Sequence, residues 1–247
     1  KTTTQPNSAP RFTHDPVTLE SKGLLIEQLA TNLAIQSEAI GNTTPWSIQG
    51  GSIVSDTNVV TPDGTTGANK YIPDTIAGRN HIVYFGNTTT GTIALSLFVK
   101  PSGLNHVNLV SQRGQATSRG VNFNLTEGSE AITASYEANG VIEKYPNGWY
   151  RIVVIPTSTG ATGITHYVIN PHDGSAATDA YFRSNYGNSN TTNGMYLWGA
   201  QHEASASVTS YIPTSGSTVT RSPDLVKIDG DNFGTYRQNL KPNTIAS

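Results

Sequence analysis

Seven residues of this chain have the types that recognise a sugar: Trp46, Arg113, Asn122, Asn124, Tyr136, Arg151 and His166. A flat ring lies against the apolar face of a pyranose, while amide, guanidinium, imidazole and phenol groups read its hydroxyls. Ligand sites in general combine apolar walls with a few polar groups. Six of the seven sit on or beside segments that read as central strands. If those strands pair as neighbours, several side chains project onto one sheet face and form a shallow groove; the alternative is an ordinary solvated sheet face. Trp46 opens a strand after a loop, and fits a sugar platform or a core position equally. Trp149 and Trp198 lie inside strand segments and read as packing residues, since large aromatics dominate cores. Tyr181, Tyr186 and Tyr196 flank an Asn-rich loop, Ser184 to Gly194, that either lines a groove or is a solvated connection.

Other chemistry finds less support. The six histidines include no H-x-x-x-H pair for zinc. Calcium needs six to eight oxygen ligands, and no dense Asp cluster offers them. Neither an E-x-D-x-x-E nor an E-x-D-x-E strand motif occurs, and there is no G-x-S-x-G. Asp173 and Glu203 stand as isolated acids. With no cysteine, disulfides and thiolate catalysis are excluded. These patterns predict a protein without enzymatic activity, metal or cofactor.

The elements that position these residues read as strands. Charged residues are 13% of the 247, against roughly 25% in ordinary globular chains. In their place stand 33 Thr, 23 Ser, 21 Asn and 24 Gly, residues of strands and turns. A net charge of -2 gives no basic face for nucleic acid. No apolar run approaches the roughly 18 residues of a membrane span. From Trp46 onward the hydrophobic period is two: Ile93, Leu95, Leu97 and Val99 share one side of their segment, as do Val121, Phe123 and Leu125, and Ile132, Ala134 and Tyr136. Further strands are expected at 80–85, 105–112, 150–155, 165–170, 180–184, 195–203 and 224–229. Turn signals separate them, among them Pro62-Asp63-Gly64, Pro101-Ser102-Gly103, Pro146-Asn147-Gly148 and Asp173-Gly174, and the Asn139-Gly140 dipeptide is the strongest hairpin signal. Gly23 to Gln36 suits a short helix or an extended stretch about equally, with Leu25, Leu29 and Leu33 at helical spacing. The expected fold is an all-β antiparallel jelly-roll sandwich over residues 37–204. An extended arm and lead-in occupy 1–36, and an extended tail, 205–247, reads as the start of a second module.

Two segments carry a family resemblance. Gly194 to Asp224, GMYLWGAQHEASASVTSYIPTSGSTVTRSPD, is similar to the close of a jelly-roll module in bacteriophage structural and tail proteins. Pro10 to Asn32, PRFTHDPVTLESKGLLIEQLATN, resembles the lead-in to that module. Between them Asn32 to Trp46, Pro62 to Thr66 and Asn147 to Arg151 resemble pieces of concanavalin-like carbohydrate-binding modules, and Thr220 to Phe233 resembles the opening of a second sandwich. The resemblance covers residues 10–233. It implies a virion surface protein of head or tail, fibre or decoration, that engages other virion proteins, forms homo-oligomers and adheres to host surface polysaccharide. Two alternatives stay open: a carbohydrate-binding module of a larger polysaccharide-degrading enzyme, and a capsid cement protein with no ligand. Related modules often hold calcium between a first-strand Glu and a last-strand Asp. Glu38 matches the first, but Trp198-Gly199 stands where the second would be.

Overall fold

A computed structural model describes residues 11–41, 44–76, 81–89, 91–113, 117–157, 163–175 and 186–224. Two six-stranded antiparallel sheets face each other, as the alternation predicts. The first sheet contains β4 (Trp46–Gln49), β7 (His81–Thr89), β9 (His106–Arg113), β10 (Thr117–Asn124), β11 (Ala131–Tyr136) and β14 (Gly163–His172), in the spatial order β11-β10-β9-β14-β7-β4. The second contains β5 (Gly51–Val60), β6 (Thr66–Pro73), β8 (Ala94–Ser102), β12 (Ala138–Tyr145), β13 (Trp149–Pro156) and β15 (Gly194–Glu203), in the order β12-β13-β8-β15-β6-β5. Two small sheets complete the described chain: β1 (Arg11–His14) with β2 (Ser21–Leu25), and β3 (Ala30–Asn32) with β16 (Val219–Arg221). The expected strand at 180–184 lies outside the described residues, as does all but Asp224 of that expected at 224–229.

Strand alternation builds the core directly. Leu95, Leu97 and Val99 of β8 and Tyr150, Ile152 and Val154 of β13 meet Val107, Leu109, Val121, Phe123, Tyr167 and Ile169 of the first sheet. Trp46 belongs to this inter-sheet core. Its ring stands edge-on to Tyr84 at 4.8 Å and Tyr167 at 6.0 Å, and its indole N–H donates to the Gln36 carbonyl at 2.8 Å. The sugar-platform expectation for Trp46 is therefore corrected: it is only 6% exposed and packs within the core.

The turns obey their residues, with one exception. Thr61 and Thr65 hydroxyls donate to Asp63 inside the Pro62-Asp63-Gly64 turn. Asn147 and Gly148 take positive φ of 61° and 75° between β12 and β13, a conformation that Asn and Gly adopt most readily. Asn139-Gly140, by contrast, makes no hairpin. Both residues lie inside β12, opposite Ile155 and Val154. The chain instead crosses from one sheet to the other at Glu137, whose φ is 43°. Gly140 is there for closeness: a Cβ on it would stand 2.7 Å from Val121 Cγ1 and 3.0 Å from Ile132 Cδ1. Gly23 to Gln36 resolves as extended chain carrying β2 and β3, because its leucines do not share a face: Leu24 and Leu29 are exposed while Leu25 turns inward.

The lead-in and the tail close on each other and on β15. Asn32 is fully buried and uses its whole amide. Its Nδ2 donates to the carbonyls of Ala200 at 3.0 Å and Ile212 at 2.8 Å, and its Oδ1 accepts from the N–H groups of Ala34 and His202, both at 3.0 Å. Gln201 Oε1 accepts from the N–H of Ile212, and Glu203 accepts from the N–H and hydroxyl of Thr209. Ser37 and Thr214 hydrogen-bond reciprocally. Beyond them Glu27 takes the N–H of Ser210 and pairs with Arg11 at 2.9 Å and Arg221 at 3.1 Å, while Asp224 receives both Arg11 and the N–H of Glu27. The boundaries read from sequence, at 36 and 204, fall inside this hydrogen-bonded clasp.

Two substitutions test this account. Gly140→Ala will destabilise by about 1–3 kcal/mol through overpacking, seen as a lower urea midpoint at unchanged slope. Asn32→Ala, which strands two buried carbonyls and two N–H groups, will cost about 3 kcal/mol or more in the same titration.

Candidate binding site

Besides Trp46, the first sheet carries five of the seven sequence candidates: Arg113, Asn122, Asn124, Tyr136 and His166. Asn122 lies in register with Asn108 of β9, and Asn108 with Asn170 of β14, so three amides form a row across the sheet. Val110 and Val168 pack together beside them. Asn108, Asn122, Asn170, Val110, Val168 and His172 are all buried, so among the described residues no open groove runs over the centre of this face. Asn124 is occupied in a turn, accepting from the N–H and hydroxyl of Thr126 and donating to the Ser129 carbonyl. Tyr136 is 54% exposed on the edge strand β11, and His166 is half-buried, with burial lowering its pKa. Arg113 ends β9 in register with Thr117 and Thr165.

Arg151 does not join them. It belongs to β13 in the second sheet and points away from the inter-sheet core, because Tyr150 and Ile152 on either side of it point in. The expectation of one shared face is corrected here by strand parity and sheet order. The outward side of the second sheet holds its own aromatic layer of Phe98, Trp149, Trp198 and Tyr211, with Tyr145 packed against it. Phe98 is its hub, with ring centroids 5.0 Å from Tyr145, 5.4 Å from Trp198 and 6.0 Å from Tyr211. The Arg151 guanidinium lies 5.6 Å over the Phe98 ring, and its Nη2 donates to Ser96 Oγ at 3.0 Å and the Thr209 carbonyl at 2.7 Å. Its Nε meets no acceptor, and no ion pair holds it among the described residues.

A cavity of about 590 Å³ opens over this layer, within the several-hundred-Å³ range of small-molecule sites. Phe98, Tyr145, Arg151 and Trp198 line the second-sheet side; Thr13, Asp15, Lys22 and Leu25 of the β1–β2 hairpin line another; Thr209 to Tyr211 of the tail and Asp63 and Glu143 complete it. The hairpin is held over the sheet by Arg11, which reaches Glu27 and Asp224 in the clasp. Two carboxyls on the lining are held in their ionised form. The N–H of Thr18 and the ammonium of Lys22 hold the Asp15 carboxyl below its ordinary value. Burial pushes Asp63 upward, but hydrogen bonds from Thr61 and Thr65 outweigh it and the net shift is downward. Sequence reading missed Phe98, Tyr145 and Tyr211 as a wall. A signal existed: Phe98 sits between the core residues Leu97 and Val99, in the position where alternation calls for a polar side chain.

The residues compared above with a calcium site have contacts of their own. Glu38 accepts from the Tyr211 hydroxyl at 3.1 Å, and burial raises its pKa. Trp198-Gly199 forms a β-bulge, with register slipping between Trp198 and Gln201, and Gly199 at φ 62° allows the turn. Among the described residues no three His, Asp or Glu side chains gather as a metal site would require.

No protein-family model matches the chain, and no curated protein does. Solved structures give distant likenesses. The enzymatically active domain of tailspike protein 4 of bacteriophage CBA120 aligns at TM-score 0.38 and 9% identity over 69% of this chain and 21% of that one. A Clostridium thermocellum xylanase, its CBM22-1 and GH10 modules complexed with xylohexaose, aligns at 0.37 and 9% over 71% and 28%. TmCBM61 in complex with β-1,4-galactotriose aligns at 0.27 and 12% over 64% and 90%. The chain thus spans less than a third of the first two.

The polar row has a pH consequence. His172 Nδ1 accepts from the N–H of Gly174 at 3.0 Å, and its Nε2 lies 3.3 Å from the side-chain amide of Asn122. Burial, then the neighbouring His106 ring, lowers its pKa to about 4. The unfolded chain titrates near 6.5, so between these values it binds more protons than the folded one. Stability is therefore full above about pH 6.5 and falls as pH drops toward 4, by up to about 3 kcal/mol for this group. Urea midpoints at pH 7 and pH 4.5 will show the loss, and His172→Gln will shrink the difference between them.

Proposed function

We propose that this chain is a bacteriophage virion surface protein, without enzymatic activity, that adheres to host glycan through the cavity beneath the β1–β2 hairpin. The observation that carries this reading is the convergence there of Phe98, Tyr145, Trp198 and Tyr211 with the buried Arg151 guanidinium. Rings of this kind take the apolar face of a pyranose. Arg151, Lys22, Asp63 and Glu143 around them offer donors and acceptors to its hydroxyls. The virion setting rests on the sequence resemblance of Pro10–Asn32 and Gly194–Asp224 to the brackets of phage jelly rolls. A binding role rather than hydrolysis fits the acids on the lining. Glycoside cleavage needs one carboxyl kept protonated near neutral pH; of the four acids on the lining, Asp15 and Asp63 are held ionised and Glu27 is tied to two arginines, which leaves Glu143 without an acidic partner of matched role. A weak site suffices on a particle, since many copies bind jointly at high effective concentration.

A glycan array followed by calorimetry on the best hit tests the reading. The expected result is a weak, saturable complex that Tyr145→Ala weakens about tenfold or more, with the secondary structure unchanged by circular dichroism, and that releases no new reducing ends. Absence of any glycan ligand, or equal binding by Tyr145→Ala and Arg151→Lys variants, would overturn it.

A further inference from the structure

The outward face of the second sheet continues beyond the cavity. Strand register sets out a second row beside it. Tyr145 lies opposite Trp149 across β12 and β13, Lys100 of β8 opposite Tyr196 of β15, and Tyr196 opposite Lys70 of β6. Lys100 shares the parity of Phe98, and Tyr196 that of Trp198, so this row extends the aromatic layer from the cavity toward β6. Lys70 Nζ stands 5.6 Å over the Tyr196 ring and donates to the Thr192 carbonyl at 2.8 Å. Neighbouring strands lie about 4.8 Å apart, so the backbones of Lys100 and Lys70, two strands from each other, are separated by roughly 10 Å. Arg151 of β13, in register with Phe98, opens the series on the cavity side. Arg151, Lys100 and Lys70 thus set three cations along a surface of rings, and no ion pair holds any of them among the described residues.

The nearby acids are engaged elsewhere or stand at the margins. The central strands β13, β8 and β15 contain one acid, Glu203, which is buried beneath the tail and accepts from the N–H and hydroxyl of Thr209 and the amide of Gln201. Asp56 of β5 lies within electrostatic reach of Lys70 without pairing with it, and its oxygens take the Tyr196 hydroxyl and the N–H of Asn58. On the cavity lining Asp15 pairs with Lys22, Glu27 with Arg11 and Arg221, and Lys144 with Glu130, while Asp63 is engaged by Thr61 and Thr65. Glu143 stands opposite Arg151 in register, outside ion-pair distance. A cation left unpaired and partly buried costs free energy that an anion from outside would offset. Rings beside such cations suit a sugar that carries its own negative charge: the ring takes the apolar side of the pyranose, and ammonium and guanidinium groups take its acidic group. Resting on the glycan reading above, we propose that the ligand is an anionic polysaccharide. Arg151, Lys100 and Lys70 read its acidic groups as the chain runs from the cavity across β8 and β15 to β6. Glu143 works against an anion placed at Arg151, so it limits affinity for this ligand.

An array of uronate-bearing, sulfated and neutral polysaccharides tests it, followed by calorimetry on the best acidic ligand and on its carboxyl-reduced or desulfated form. The neutralised form should bind about tenfold more weakly, and affinity for the acidic form should fall as NaCl is added. Which neutralisation matters tells whether a carboxylate or a sulfate is read. Lys70→Gln with Lys100→Gln, both at half-buried surface positions, should weaken the acidic ligand about threefold or more. Glu143→Gln should tighten it, a gain that no loss of folding can imitate. Equal binding of charged and neutralised forms, indifference to salt, or a double lysine variant that binds like wild type would overturn the inference while leaving a neutral glycan site in place. Absence of any glycan ligand overturns both readings. Duplex DNA or polyglutamate bound as tightly as the polysaccharide would also overturn the inference, because charge alone would then be read.

Discussion

One side chain joins the beginning, the middle and the end of this fold. Asn32 lies at full burial between the lead-in, the last long strand and the tail, and each of the four valences of its amide is met by backbone from one of them. A buried amide left half-satisfied costs more than it contributes, whereas one fully satisfied fixes a single arrangement of the segments around it. The rest of the outer layer follows from that arrangement. With Ala200 and Ile212 fixed against Asn32, Gln201 and Glu203 meet the tail at Ile212 and Thr209, and the tail carbonyl of Thr209 meets Arg151. Tyr211 is thereby laid on Trp198, with centroids 4.7 Å apart. The aromatic wall of the cavity depends on a clasp whose centre is a single asparagine.

The two sides of the sandwich use buried polarity differently. On the first sheet the asparagine row is closed off, and Asn108 is left with neither amide atom partnered. On the second sheet the buried cation is stacked on a ring and held by neutral acceptors beside an open cavity. The polar row reads as the binding face by residue type alone, yet burial removes it from contact with a large ligand. Aromatic residues at outward parity, which read as core by type, end beside the opening instead. Residue type told less here than the covering of each face by the segments before and after the sandwich.

That contrast marks how much was legible in the sequence. Alternation placed Leu95, Leu97, Val99, Val121 and Phe123 in the core, because period two is a local property of the strand. Most turns were legible for the same reason. Asn139-Gly140 was not, since its glycine answers a contact with Val121 across the sandwich, more than a dozen residues away in sequence. The grouping of Arg151 with Asn122 failed likewise: which sheet a strand joins is settled by pairing of distant segments, and β12 and β13 cross to the sheet opposite β11. The motif words SYIPT and TR..D were recognisable without being interpretable. Each becomes so beside its partner: Ser210 and Arg221 with Glu27, Tyr211 and Thr214 with Ser37, Asp224 with Arg11.

The clasp also has a mechanical side. β3 and β16 run antiparallel, with Ala30 opposite Arg221 and Asn32 opposite Val219. Chain entering before Ala30 and chain leaving after Arg221 therefore depart from the same end of that ladder. Tension applied through both would load its bonds one after another, first the Arg11–Asp224 contact, then Arg221–Glu27, then the short ladder, as a zip opens from its end. None of that load reaches the inter-sheet core until the zip has run to Asn32. On such a line of pull the outer ion pairs stand ahead of the ladder, and the ladder ahead of the sandwich.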